Sequence, residues 1–502
     1  MPARPPHRAR IIATLVLAFA VLSACTSGGG DEPQALTPGE PMRLDVLVYN
    51  IEYGGDGSTD AVIREVDADI VGVLESYNRL PEIAENTGYP YYNVSLQILS
   101  KYPIHDPSGG AGLYALIEVR PGEVVAFFNH HLDYVRYGPR LLDKGTSVDD
   151  VIASENDVRT SALEASLGKM GPLIDQGYPT FLSGDFNEPS SLDYGQDTVG
   201  TRPGIDEPVP WPVSEVLLET GFRDTYREVH PDPLQDPGLT HRGVGDRIDY
   251  LYAAGPSETL DSQIVGKEGE PDVGIGFAEW TSDHFGVLST FEVTPVSMPT
   301  MVSVDAALKT QGDTLVVSYS APGDDNSVVI VPAGGDPDQA EVTEGATGSL
   351  GGLTFDTSDL QPGGHDIVLV DADGAELARV GFWLREVGAE VKVSTDRGTY
   401  EVGEPIEVSW TDGPANRWDW IGVYEASKSD PKVDPYLLWG YTGLHASGTL
   451  PPTVAGSMMI GPDSQGGPWP LPPGEYVVHY LLTDRYRSAA SATFEVTSSG
   501  SR

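Results

Sequence analysis

The chain has 502 residues, 75 acidic against 30 basic side chains, and a formal net charge of -45. The length favours several domains over a single core, and the charge disfavours tight nonspecific binding to nucleic acid, because a polyanion is repelled. The charge does not exclude a nuclease, because a bound cation dominates the local potential and distant charges are screened within ~10 Å at moderate salt; a solvated acidic surface explains the same composition.

The first 25 residues have the pattern of an export signal. Basic residues precede an apolar run from Ile11 to Leu22, and small residues then lead to Cys25. This order is typical of a signal peptide with a lipoprotein cleavage site, and a short buried helix is the alternative. Cys25 is the only cysteine of the chain, so the sequence predicts a lipid anchor there and no disulfide. We therefore expect an exported protein held on the outer side of a bacterial membrane.

Changes in composition divide the remaining chain into a tether and three domains. Residues 26–41 are rich in Gly and Pro and predict a flexible linker. Residues 42–294 alternate β-type apolar runs with helical stretches, which favours a layered α/β domain. Short strands separated by Pro-Gly turns then predict two all-β, Ig-like sandwich modules, at 300–387 and 388–497.

Polar side chains follow two predicted strands of the α/β domain, at the point where each strand ends. The segment V-Y-N-I-E carries Asn50 and Glu52, and V-G-V-L-E-S carries Glu75. Carboxylate and amide oxygens are the ligands that Mg²⁺ prefers. These three side chains are therefore candidate metal ligands, and the alternative is that they cap strand ends.

The next two motifs carry groups that transfer protons or contact phosphate. The strand F-F-N-H-H-L-D contains His130 and His131, and an imidazole at a strand end can donate to a phosphate oxygen or to a leaving group. The segment L-S-G-D-F-N-E-P carries Asp185 and Asn187, which point the same way on a strand. One of the two can orient or deprotonate a water while the other holds a phosphoryl oxygen; a simple turn is the alternative.

The last two motifs contain two acidic residues and a histidine. The segment R-I-D-Y-L-Y carries Asp249, and T-S-D-H-F-G-V carries Asp283 and His284. Asp249 can hold the His284 ring in one tautomer, which leaves the other ring nitrogen to take a proton from water. Asp283, adjacent in sequence but expected to point the other way, would face a metal ion. The alternative is a buried, salt-bridged histidine.

The order and wording of these motifs resemble the endonuclease/exonuclease/phosphatase superfamily over about half of the chain. The resemblance implies an α/β (α+β) four-layer β-sandwich that hydrolyses P–O bonds with an activated water and Mg²⁺, or Mn²⁺ in its place. It implies catalytic roles for His131, Asp185, Asn187, Asp249 and His284, and metal ligation by Asn50, Glu52, Glu75 and Asp283. The family usually has Asn-Thr-His-Leu at the histidine strand, so His130 stands at a usually small polar position.

The motifs contain groups that recognise a phosphate, and they do not indicate which groups the phosphate carries. The expected substrates are nucleic acid, nucleotides or phospholipid head groups, and the C-terminal modules are expected to bind a surface ligand. A second hypothesis is a catalytically inactive binding or adhesion lipoprotein. Every expected polar position is filled by a competent residue, which argues against that hypothesis.

Three further segments have local interpretations. Arg159, on the helix after the histidine strand, either approaches a substrate phosphate or lies on a solvated helix face. The stretch Asp419–Tyr424 resembles part of the SKICH modules of some inositol polyphosphate phosphatases, and it equally predicts a strand with Trp420 in a sandwich core. The segments that begin at Val317 and Val408 are interpreted as a diverged repeat.

Overall fold

The computed structural model describes residues 36–498, apart from 78, 108, 111, 417–418, 443–453, 463 and 483–485. The predicted signal peptide, Cys25 and most of the predicted linker lie outside the described residues. Export and lipidation therefore stay predictions. Within the described ranges, no helix is long and apolar enough to cross a membrane.

The first part of the chain alternates strands and helices. The strands are β1 Met42–Asn50, β2 Ile70–Leu74, β3 Tyr91–Asn93, β4 Ile98–Ser100, β5 Ile104–His105, β6 Ala115–Arg120, β7 Glu123–His131, β8 Thr180–Asp185, β9 Arg223–Asp224, β10 Asp249–Ala254, β11 Ser257–Lys267, β12 Val273–Phe277, β13 Gly286–Val293 and β14 Val296–Ser297. The helices are α1 Gly57–Val66, α2 Leu80–Thr87, α3 Gly138–Asp143, α4 Val148–Glu155, α5 Ser161–Asp175, α6 Pro212–Glu219 and α7 Thr225–Val229. A π-helical turn, Asn156–Thr160, joins α4 to α5.

These strands form two sheets that pack face to face. One has the order β12-β11-β13-β1-β2-β4-β3, and the other has the order β5-β6-β7-β8-β10-β9 with β14 on β7. Val46 and Phe127 are among the fully buried residues of the core between the sheets. On the outer faces, α1 and α2 cover the first sheet, and α5 and α6 cover the second. The predicted four-layer α/β sandwich is confirmed.

A glycine lets the two sheets approach each other beneath the strand ends. A Cβ atom at Gly72 of β2 would lie 2.1 Å from Ser183 Oγ and 2.8 Å from Asn129 Oδ1. The Asn129 amide of β7 donates to the carbonyl oxygens of Val73 and Leu96, at 3.1 and 3.0 Å, and accepts from Ser183 Oγ at 2.8 Å. Asn129 is therefore a buried tie between the sheets, and its amide groups are used in holding them together.

The rest of the described chain forms two β-sandwich modules. The strands of the first module are β15 Met301–Val304, β16 Leu308–Thr310, β17 Thr314–Ser320, β18 Asp325–Pro332, β19 Val342–Thr347, β20 Leu350–Asp356, β21 Gly363–Val370 and β22 Glu376–Arg385. Those of the second are β23 Lys392–Thr395, β24 Thr399–Glu401, β25 Ile406–Thr411, β26 Trp420–Glu425, β27 Leu438–Tyr441, β28 Gly456–Ile460, β29 Gln465–Gly466, β30 Gly474–Leu482 and β31 Arg487–Thr497.

The two modules share one strand order, except that β29 adds a sixth strand to the larger sheet of the second module. The first pairs β15-β17-β20 with β16-β22-β21-β18-β19, and the second pairs β23-β25-β28 with β24-β31-β30-β26-β27-β29. The predicted repeat segments lie on the corresponding strands β17 and β25. The sandwich modules predicted from the sequence are thus observed, whereas the exact domain boundaries stay a prediction.

Trp420 lies on strand β26, as predicted, but not in the sandwich core. Its neighbour Ile421 faces that core, and side chains alternate along a strand. Trp420 is buried on the opposite face of the sheet, where it packs with Tyr424 and Leu481. The predicted core position was wrong because a six-residue aromatic strand does not show which of its faces is covered by the partner sheet.

Candidate active site

The predicted polar residues meet at one edge of the two packed sheets. Asn50 ends β1, Glu75 follows β2, His131 ends β7 and Asp185 ends β8. The pairs β1–β2 and β7–β8 are parallel, so each pair brings its carboxyl ends to the same edge. Strand β10 runs antiparallel to β8 with Asp249 directly opposite Asp185, so its first residue joins the same edge.

The carboxylate of Asp185 lies at the centre of this edge and is almost fully buried. Its Oδ2 atom lies 3.0 Å from Asn50 Nδ2, 3.6 Å from His131 Nε2 and 3.6 Å from His284 Nε2. Its Oδ1 atom accepts the backbone N–H of Asn187 at 2.9 Å. Side chains from β1, from β7 and from the loop before β13 therefore converge on one carboxylate oxygen.

His284 and Asp249 form a buried pair. His284 Nδ1 lies 2.9 Å from Asp249 Oδ2, and the backbone N–H of His284 donates to Ser282 Oγ at 3.0 Å. Burial disfavours the imidazolium form, but the charges of Asp249, Asp185 and Asp283 outweigh it and raise the pKa of His284 to about 10. Burial raises the pKa of Asp249 to about 6, against the attraction of the His284 ring.

The predicted metal ligands lie beside this pair. The backbone N–H of Asp283 donates to Glu52 Oε2 at 3.0 Å. Asn50 links them, since its Nδ2 donates to Glu75 Oε1 at 3.2 Å and its Oδ1 accepts the N–H of Glu52 at 3.0 Å. Partial burial and the like charge of Asp283 raise the pKa of Glu52. Oxygen donors whose charges repel one another suit a hard divalent cation, which relieves the repulsion.

The turns that aim these side chains have an uncommon backbone conformation. Glu52 (φ 51°), Tyr53 (φ 47°), Glu75 (φ 59°) and Asn187 (φ 48°) are all in the left-handed region. Residues other than glycine rarely adopt it, and such residues cluster at functional sites where the surrounding structure holds them in place. Three of the strand ends at this edge therefore carry backbone strain.

Two other predicted residues have clear positions. Asn187 Nδ2 donates to the Leu132 carbonyl at 3.0 Å and so joins the loop after β8 to the loop after β7. His130 is buried and alternates with His131 along β7, so it faces the helix layer together with Phe128. The structure thus brings His131 to the candidate site and turns His130 away from it.

The position of Arg159 differs from both positions that the sequence predicted. Its side chain is fully buried, where it pairs with Glu155 and donates to the Val135 carbonyl at 2.8 Å. It lies neither on a solvated helix face nor where a substrate could reach it, so both predicted roles are wrong. Its contact with Val135 supports the segment that follows His131.

His241 was missed by the sequence analysis. It forms a β-bridge with His284, and the two ring centroids lie 4.4 Å apart. Its Nε2 atom lies 3.8 Å from Asp283 Oδ2. Burial and the nearby His284 charge lower the pKa of His241. A histidine in an irregular Gly-containing loop has no periodic signal, and only its position eight residues before Asp249 could have drawn attention to it.

Among the described residues, two groups of three side chains have potential metal-ligand atoms within 4.8 Å of one another. One consists of His241, Asp283 and His284, and the other of Asp185, Asp249 and His284. Both contain His284. The predicted set of Asn50, Glu52, Glu75 and Asp283 is a separate, oxygen-rich arrangement that shares only Asp283 with them.

Residues 47–284 match the model of the Endonuclease/Exonuclease/phosphatase family. The α/β domain belongs to this family. Members of the endonuclease/exonuclease/phosphatase family generally hydrolyse phosphoester bonds and generally use divalent metal ions. An uncharacterized protein of Caenorhabditis elegans is 29% identical over 280 residues, which cover 48% of this chain and 87% of that protein.

Solved structures of similar proteins include family members. An endonuclease/exonuclease/phosphatase from Beutenbergia cavernae is 18% identical, with a TM-score of 0.33, over 68% of this chain and 100% of that chain. A humanized D. rerio TDP2 is 13% identical, with a TM-score of 0.32, over 50% of this chain and 98% of that chain. The family assignment rests on the match of residues 47–284 to the family model.

Proposed function

We propose that this chain is an exported, divalent-metal-dependent phosphoesterase that cleaves P–O bonds by attack of an activated water on phosphorus. The observation that carries the proposal is the convergence of Asn50, His131 and His284 on the single Oδ2 atom of Asp185. Groups that can hold a water, donate to phosphate and accept a proton thereby lie within 3.6 Å of one carboxylate oxygen.

The metal site proposed from the sequence consists of Asn50, Glu52, Glu75 and Asp283, with Mg²⁺ as the expected ion and Mn²⁺ as the alternative. Burial and the like charge of Asp283 raise the pKa of Glu52, and a cation at this position would offset both effects. When bound, the ion would polarise a phosphoryl oxygen and offset the negative charge that develops on it.

The remaining roles belong to side chains of the chain itself. Asp185 orients the attacking water, and His284, held by Asp249 through Nδ1, accepts its proton at Nε2. The charges of the nearby carboxylates raise the pKa of His284, so His284 keeps its proton when no cation is bound. A bound cation would offset these charges, and we then expect the neutral, basic form of His284 to be populated. His131 and Asn187 hold the phosphate.

The proposed location follows from the N-terminal sequence. A lipid on Cys25 would hold the enzyme on the outer face of a bacterial membrane, where nucleotides, nucleic acid and phospholipid head groups are available as substrates. The two sandwich modules would then bind a surface ligand. Palmitate labelling of the wild-type chain and of Cys25→Ser tests the anchor, and equal labelling would contradict it.

The activity is tested by hydrolysis of bis-p-nitrophenyl phosphate by the purified full chain in EDTA, Mg²⁺ or Mn²⁺. Asp185→Asn preserves shape and removes the central charge, and the same change at the exposed Asp359 is the matched control. We expect metal-dependent release by the wild type and the control and a loss of at least about 10³-fold in Asp185→Asn, the range seen when a catalytic group is removed. No hydrolysis of this diester, a phosphomonoester, DNA or a phospholipid would favour the inactive binding lipoprotein.

A further inference from the structure

The ring of His241 is held in one tautomer by its own loop. The backbone N–H of Gly243 donates to His241 Nδ1 at 3.0 Å. A backbone N–H can only donate, so Nδ1 has to accept and therefore carries no proton. In the neutral ring the proton is then on Nε2, which makes Nε2 a hydrogen-bond donor.

The surroundings of the ring keep it in this orientation. A Cβ atom at Gly243 would lie 2.9 Å from His241 Cε1, so the turn packs closely on the ring and leaves no room for a larger residue. The preceding residue, Thr240, accepts the backbone N–H of Asp249 at its Oγ1 atom at 3.0 Å. The loop that carries His241 is thus attached to Asp249, the first residue of β10 and the partner of His284.

The donor atom points into the candidate active site. Nε2 is 3.8 Å from Asp283 Oδ2, which is longer than a hydrogen bond, and 18% of the His241 side chain is exposed. The ring lies beside His284, on the side of the site where Asp185 and His284 would hold the attacking water. A leaving group departs in line with the water and on the opposite side, so a donor next to His284 reaches the equatorial phosphoryl oxygens.

We propose that His241 contacts the substrate, with Nε2–H donating a hydrogen bond to a non-bridging phosphoryl oxygen as negative charge develops there. This inference rests on the proposed phosphoesterase function and adds a residue to it. The grouping of His241 with Asp283 and His284 also suggests a metal ligand, but a protonated Nε2 has no lone pair to offer a cation.

The ring geometry is tested first, by long-range ¹H–¹⁵N correlation NMR of the full chain with labelled histidine. We expect the Nε2–H tautomer at His241 and a shift of its Nε2 signal on titration with inorganic phosphate. The opposite tautomer, or an unchanged signal at saturating phosphate, overturns the inference. This readout needs no turnover, so it remains decisive if the wild-type chain proves inactive and the proposed function fails.

Kinetic measurements then distinguish a contact of His241 with a phosphoryl oxygen from proton donation to the leaving group and from a purely structural role. His241→Ala, His241→Gln and the same two changes at His479 in the second module are compared on bis-p-nitrophenyl phosphate and on a diester with a poor leaving group. We expect His241→Ala to lower kcat about 10²-fold on both substrates, as loss of one such donor does, with a smaller change in KM. The glutamine variant, which keeps an N–H donor, should recover at least part of the loss. The His479 variants should match the wild type.

Three results would overturn this assignment. Wild-type kinetics for His241→Ala would show that the ring makes no contact in the transition state. A loss confined to the poor leaving group would make His241 a proton donor to that group instead. A glutamine variant no better than the alanine variant would indicate that the ring acts by its shape and not by its N–H.

Discussion

Replacing Asp249 by asparagine removes the negative charge nearest to His284 while keeping the shape of the side chain. The two groups lie 2.9 Å apart and both are buried, so solvent screens the interaction weakly. An opposite charge at this distance shifts a pKa by about 1–3 units. Without metal, we therefore expect the pKa of His284 to fall by that amount from its wild-type value of about 10.

The same change alters the pH dependence of stability. A histidine whose pKa is raised on folding contributes stability that is complete below its unfolded pKa, near 6.5, and is lost as the pH rises through about 10. Asp249, with a pKa of about 6, stays ionised above pH 7, so between pH 7 and 10 this pair titrates only at His284. The stability of the wild type relative to Asp249→Asn should thus decline by about 1–3 kcal/mol over this range, at ~1.4 kcal/mol per pKa unit.

The assay is urea unfolding in EDTA at pH 7, 8.5 and 10, together with NMR titration of His284. Asp359→Asn, an exposed change of the same kind, should follow the wild-type profile. Parallel stability profiles for Asp249→Asn and the wild type, or an unchanged His284 titration, would refute the electrostatic account of this pair.

Three further predictions concern residues that stabilise the domain around the candidate site or bind its metal ion. Arg159→Met should cost about 3–5 kcal/mol in the free energy of unfolding, because Glu155 is left buried without its partner; a loss below about 1 kcal/mol would contradict this. Gly72→Ala should lower the free energy of unfolding by about 1–3 kcal/mol, because the added methyl group overpacks the space between the sheets. Gly168→Ala, which adds a methyl group in open space within α5, should raise the free energy of unfolding by about 0.5–1 kcal/mol. Equal effects of the two changes would show that the close approach of the sheets at Gly72 does not require glycine. Glu75→Gln should weaken Mg²⁺ binding in calorimetry roughly tenfold or more, because one carboxylate charge is lost, and an unchanged affinity would remove Glu75 from the ligand set.

The strand-end residues could be predicted because a simple rule of sheet geometry applies to them. Asn50, Glu75 and Asp185 each follow an apolar run, and parallel strands bring such positions to one edge. The sequence therefore indicated both the polar residues of the site and the edge of the sheets at which they meet. It also indicated the layered fold, since strands and helices alternate through this domain.

The remaining features depend on contacts that no local pattern records. His241 reaches the site through a β-bridge to His284, 43 residues further along the chain, and it does so from an irregular loop. Arg159 is a charged residue on a helix, a position normally interpreted as exposed, but the π-helical turn between α4 and α5 places it inward against Glu155. The ion pair with Glu155 compensates the buried charge of Arg159, and a single sequence does not show that pairing.

The charge of the protein limits how it can bind an anionic substrate. The net charge is -45, and Glu52, Glu75, Asp185 and Asp283 add a local concentration of carboxylates at the candidate site. Attraction must then come from a bound cation and from aligned donors such as His131, because the general field repels phosphate. A longer polyanion adds repulsion along the acidic surface without adding donors. We therefore propose small phosphate esters, or head groups presented singly at a surface, as better substrates of this site than long nucleic acid.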